Sequence, residues 1–131
     1  MSREILFRIK DGNNKWIYGF PLVYDDGGIS FIDQEPLNEL KPTELCEINY
    51  TYSETLGQYT GLNDKNGNKI FEGDILGFKF NGISKAVALV EFSKKYTGFR
   101  LKPLSNFSFA LMSDGIIIGN IHDNPEFLMG D

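Results

Sequence analysis

His122 is the only histidine of this 131-residue chain and Cys46 its only thiol, so a Cys/His nucleophilic site would have to be built from these two. A Cys/His pair needs the two to meet, with a third group orienting the imidazole. Their surroundings read otherwise: His122 stands beside Asp123 near a terminal turn, as a surface hydrogen-bonding residue does, and Cys46 follows Leu45 as a small core residue does. One thiol can form neither an intramolecular disulfide nor an all-cysteine metal site, which suits a reducing compartment. His122, Asp123 and remote acids have no metal-ligand spacing. Among the carboxylates, Asp64-Lys65-Asn66-Gly67-Asn68 opens like a calcium loop, with oxygen side chains at alternating positions. The pattern then fails, because Lys69 stands where the sixth-position glycine belongs and Ile75 where the twelfth-position glutamate belongs. Glu72-Gly73-Asp74 puts two carboxylates at a turn, but no perturbing group adjoins them in sequence, and their expected work is to turn the chain. Gly57, Gly61, Gly67 and Gly73 lack the phosphate-cradling spacings. No catalytic, cofactor-binding or metal-ligating residue is therefore expected.

A binding surface is the remaining chemistry. Lys94, Lys95, Arg100 and Lys102 interleave with Tyr96 and Phe99, an arrangement single-strand nucleic-acid binders use on β-surfaces. A net charge of −5 and a pI near 4.9 work against it, because affinity for the nucleic-acid backbone grows with the number of phosphates neutralised. The charge is unevenly spread. From Asp25 to Glu54 eight acids face Lys41 alone, a net of −7, whereas from Lys79 to Lys102 six cations face Glu91 alone, a net of +5. These segments can attract one another within one chain or across a subunit contact, or lie as two separately solvated surfaces.

The elements that must carry these residues are short strands. Aromatics make up 14% of the chain and apolar residues 41%, which favours a packed globular protein. Alternation around Ile5, Phe7 and Ile9, a break at Asp11-Gly12-Asn13-Asn14, and the run Lys15 to Val23 predict a hairpin, with Gly19 and Pro21 marking a bulge or an edge. Ile29 to Ile32 and Leu45 to Tyr52 read as strands, and Asp33 to Thr43, with Pro36 and Pro42, as a loop with at most a helical turn around Leu37 to Leu40. The stretch Thr55 to Leu76 is tightly turned β-structure: a strand to Gly61, a turn at Asn63 to Asn68, then Glu72-Gly73 leading into Asp74 to Phe80. Gly73 is expected to hold a conformation costly for a residue with a Cβ. Asn81-Gly82 predicts a hairpin joining Asp74 to Phe80 with Ala86 to Phe92. Further strands follow at Phe99 to Leu104, Phe107 to Met112 and Ile116 to Ile121, and Asn124-Pro125 starts a terminal helical turn. The expectation is a mainly β protein with a small SH3-like or related barrel over residues 45–131 and an N-terminal β-hairpin extension over residues 1–44. No apolar run approaches the roughly 18 to 20 residues that cross a bilayer, and no secretory pattern is seen, so a soluble, cytoplasmic setting without membrane contact is expected.

Several of these residues also carry a resemblance. Gln58-Tyr59-Thr60-Gly61-Leu62, Asp64-Lys65-Asn66-Gly67, Ile70-Phe71-Glu72-Gly73-Asp74-Ile75, Ile118-Gly119-Asn120-Ile121 and Asn124-Pro125-Glu126, with Phe7-Arg8 and Trp16-Ile17-Tyr18-Gly19 near the start, closely resemble the YopX family of phage and prophage proteins. The resemblance brings no catalytic positions with it and adds no weight to His122. It implies a bacterial host cytoplasm, homo-oligomeric assembly, and a non-enzymatic binding or assembly role towards a host or phage protein. A nucleic-acid-binding accessory role through Lys94 to Lys102 is the alternative.

Overall fold

The computed structural model describes residues 4–33, 45–47, 50–80, 84–95, 98–102 and 111–128. The expected helical turn at Leu37 to Leu40, the Asn81-Gly82 turn itself, Tyr96 and most of the Phe107 to Met112 stretch lie outside them. The described chain is mainly β, in two compact units, Met1–Gln58 and Tyr59–Asp131.

In the first unit β1 (Phe7–Lys10), β2 (Trp16–Val23), β3 (Ile29–Asp33), β4 (Leu45–Glu47) and the start of β5 (Gly57–Asn63) form an antiparallel sheet in the order β4-β3-β2-β1-β5. Pro21 shows why the sheet tolerates it. Residues 16–19 of β2 pair with β1 and residues 19–23 with β3, so Pro21 faces no partner on the β1 side and its missing N–H removes no ladder bond there. Ile9 and Phe31 are fully buried and form the core, with Phe7, Ile17, Ile29, Tyr52 and Leu56 packed on them. The strand expected over Leu45 to Tyr52 is cut short, because Tyr50–Thr55 coils into a 3-10 helix. Thr55 Oγ1 donates to Tyr52 O (2.6 Å) and accepts from Lys10 N–H (2.9 Å), so the hydroxyl ties that coil to β1.

In the second unit β5 continues beside β6 (Lys69–Phe71), and β7 (Asp74–Phe80), β8 (Ser84–Ser93), β9 (Gly98–Lys102) and β10 (Ile116–Asn120) form a second antiparallel sheet in the order β10-β7-β8-β9. Ile70, Leu76, Phe78, Ala88, Val90, Leu101 and Met112 form its core. This corrects the barrel expectation. Among the described residues the outer strands β9 and β10 pair only with β8 and β7, and the sheet stays open. Ile70 from β6 and Met112 from the 3-10 turn Met112–Asp114 join the core, so apolar side chains are buried without strand closure. A last 3-10 turn, Pro125–Leu128, stands where Asn124-Pro125 predicts helical structure.

Three hairpins share one loop design. Asp11 N–H bonds Lys15 O, Tyr24 N–H bonds Gly28 O and Asp64 N–H bonds Asn68 O, each closing a three-residue loop whose last residue has positive φ: Asn14 (62°), Gly27 (89°) and Gly67 (85°). Three-residue hairpin loops are built this way, and only Gly and Asn enter that region at little cost.

Candidate functional site

The residues that carry the resemblance converge on backbone. Asp64 is buried, and its Oδ1 accepts from Asn66 N–H and Asn68 N–H, both at 2.9 Å, while Oδ2 accepts from Ile117 N–H at 3.0 Å. The first two bonds hold the β5–β6 hairpin loop; the third pins that loop to β10. Lys65 N–H donating to Gly115 O at 2.9 Å adds a second pin. Burial pushes the Asp64 carboxyl up, yet the backbone N–H groups of Ile117, Asn68 and Asn66, with the Asn68 side chain, together outweigh it and hold the acid below its ordinary value. Asp11, at the equivalent place in its own loop, accepts from Asn13 and Lys15 N–H groups. The calcium-like spelling of Asp64 to Asn68 is thus the spelling of an Asx-capped hairpin.

Glu72 and Gly73 form a two-residue turn from β6 into β7. Gly73 has φ +94°, the conformation expected of it, and Asp74 Oδ2 closes the turn by accepting from Phe71 N–H at 2.8 Å. Gly73 N–H donates to Val90 O and Gly73 O accepts from Ile121 N–H, both at 2.8 Å, so the turn is stitched to β8 and to the end of β10. Gly61, with φ +91°, sits where the β5–β6 register shifts between Tyr59 and Asn63, a bulge that a Cβ would strain. Thr60 Oγ1 satisfies Ile70 O across it at 2.9 Å.

The C-terminal block is a second knot. Asn120 Oδ1 accepts from His122 N–H (3.0 Å) and Asp123 N–H (2.9 Å), and Asn120 Nδ2 donates to Asp123 Oδ2 (3.1 Å). Asn124 returns the contact, with its N–H on Asn120 O and its Oδ1 accepting from Asn120 N–H at 3.3 Å. A Cβ on Gly119 would come within 2.9 Å of Asn124 Cγ and 3.0 Å of Phe127, so glycine is required there by close approach. Gly57, by contrast, is a buried β5 residue paired with Arg8. In the first unit Arg8 and Lys10 are buried against Trp16, with the Arg8 guanidinium carbon 4.2 Å and Lys10 Nζ 5.2 Å from a Trp16 ring centroid. Sequence reasoning passed over this stack, although alternation puts both cations on one face of β1 and the hairpin sets Lys10 opposite Trp16.

The basic stretch divides between two faces. Phe99 packs on the core and meets Phe92 edge-on at 5.5 Å. Arg100 lies on the opposite face, its Nε 2.8 Å from Oε1 of the cross-strand Glu91, and Lys102 shares that face opposite Leu89. Lys94 and Lys95 are exposed in the turn after β8, and Tyr96 falls outside the described residues. His122 is exposed in the second unit, Cys46 belongs to β4 of the first, and no group of three acidic, histidine or cysteine side chains that could hold a metal ion occurs among the described residues. No described helix is long and apolar enough to cross a membrane.

The crystal structure of protein EF1440 from Enterococcus faecalis is similar to this chain at 27% identity and a TM-score of 0.60, covering 97% of this chain and 99% of that one. No curated protein matches. The family described as YopX protein matches residues 6–129, which takes in both knots, the β5–β6 loop and the Trp16 stack. Because that match runs over nearly the whole described fold, the chain belongs to the YopX family.

Proposed function

We propose that this chain is a phage- or prophage-encoded, non-enzymatic binding and assembly module that works in the host cytoplasm and associates with itself. One observation carries the reading: Asp64, Asp74, Asn120 and Asn124, four polar side chains of the family-like motifs, accept hydrogen bonds from backbone N–H groups. Side chains engaged in this way build a scaffold and leave function to surface shape and charge. The −7 and +5 segments supply the charge, and the open sheets supply strand edges.

Light scattering coupled to size exclusion tests it. A mass above the 14.8 kDa of one chain that falls as salt rises supports association through charge, since screening shortens from about 10 Å at 0.1 M to about 3 Å at 1 M. A 14.8 kDa species at both salt levels and at every concentration refutes the assembly reading. An assembly indifferent to salt assigns association to apolar contacts.

A further inference from the structure

We infer that the acidic tip of the β2–β3 hairpin of one copy docks on the outer face of the β10-β7-β8-β9 sheet of a second copy; this rests on the assembly reading and names its two surfaces. The sheet register sets Lys79 directly opposite Lys85, and Gly77 opposite both Val87 and Ile116. Both lysines are exposed. Like charges directly opposite in an antiparallel pair repel, so an anion placed between them lowers the free energy of the sheet itself. Beside the lysines Val87, Ile116 and Ile118 are exposed apolar residues. They gather round Gly77, whose missing side chain leaves a shallow step walled by Ile118: an added Cβ would lie 3.2 Å from Ile118 Cγ2. The outer face is thus an apolar step with a cationic border.

The β2–β3 hairpin carries the converse. Leu22, Val23 and Tyr24 are exposed, Val23 at 64% and Tyr24 at 50%, and Asp25 and Asp26 follow them at the tip, also exposed. The tip is held in shape before any partner arrives. Tyr24 N–H bonds Gly28 O at 2.8 Å, Gly27 N–H bonds Tyr24 O at 2.9 Å, and the Tyr24 and Ser30 hydroxyls share a 2.7 Å bond. A preformed tip has little ordering entropy to lose on docking. Apolar residues then cover apolar residues while the two aspartates stand between two lysines. The two surfaces differ, so the contact is heterologous and generates a ring or an open chain of copies.

Charge exchange tests the pairing. One variant carries Asp25→Lys and Asp26→Asn, the asparagine keeping the Oδ1 that accepts from Gly28 N–H; the other carries Lys79→Glu and Lys85→Glu. Each alone is expected to run at the mass of one chain, 14.8 kDa. Mixed in equal amounts they are expected to associate again, and a chain bearing all four changes is expected to recover the wild-type mass, because a tip then meets a face of opposite sign. Misfolded variants have no route to that recovery. A single variant that keeps the wild-type mass overturns the docking and leaves assembly standing. Variants that are folded by circular dichroism but stay single on mixing overturn it too. A wild-type chain of 14.8 kDa throughout a concentration series removes both the docking and the assembly reading.

Discussion

Gly73 and Asp64 show how much a single residue decides here. At φ +94° Gly73 holds a backbone that a β-branched residue enters only with strain, and its N–H and C=O are both committed to neighbouring strands. Gly73→Val is expected to cost roughly 1 to 3 kcal/mol in denaturant unfolding. Asp64 acts through charge as well as shape. Its folded carboxyl titrates below its unfolded value of 3.8, so its contribution is complete above that value and is lost as pH falls through the lower folded one. Asp64→Asn cannot serve all three N–H donors, and is expected to lower stability by about 1 to 3 kcal/mol at neutral pH and to flatten the acid limb of the stability curve. Because those oxygens already hold N–H groups, calorimetric titration with calcium is expected to show no stoichiometric binding. A micromolar isotherm abolished by Asp64→Ala would overturn that.

At the level of the element, hairpin loops and close approaches dominate. Gly12 and Gly67 lie in loops of the same design, but only Gly67 has positive φ, and a Cβ at Gly12 meets nothing within 4 Å. Gly67→Ala is therefore expected to destabilise by about 1 to 2 kcal/mol, whereas Gly12→Ala is expected to be neutral or to stabilise by about 0.4 to 1 kcal/mol through the unfolded state. Parallel urea melts of the two variants decide this; equal losses would show that φ does not set the cost. The C-terminal knot is tighter. Gly119→Ala drives a methyl into Asn124 and Phe127 and should loosen the Pro125–Leu128 turn from β10, seen as faster amide exchange at Phe127, whose N–H bonds Asn124 O.

On the scale of the molecule, each unit has its own apolar centre, Ile9 with Phe31 in the first and the cluster around Leu76 and Val90 in the second. Ile9→Ala and Leu76→Ala are each expected to cost about 2 to 5 kcal/mol, the range for emptying a fully buried site. Local probes placed in the two units report whether each loss stays in its own half. Charge works at longer range. The acidic and basic segments lie far apart along the chain, and the predicted salt response of the assembly is the whole-molecule reading of that asymmetry.

What the sequence determined by itself was local: period-two alternation placed most of the strands, and turn chemistry placed the loops at Asn14, Gly27 and Gly67 and the positive φ of Gly73, because each depends on only a few adjacent residues. Tertiary structure decided whatever joins distant residues. Asp64 meets Ile117 across 53 positions, and Lys10 meets Thr55 across 45, and that second contact helps turn part of an apparent strand into a 3-10 helix. Barrel closure was equally out of reach, since it depends on what covers the inner face of the sheet; Ile70 and Met112 join the core there, and among the described residues the sheet stays open. The basic-aromatic stretch looked continuous along the chain because sequence runs in one dimension. In a pleated strand successive side chains point to opposite faces, so Phe99 enters the core while Arg100 faces outward to Glu91.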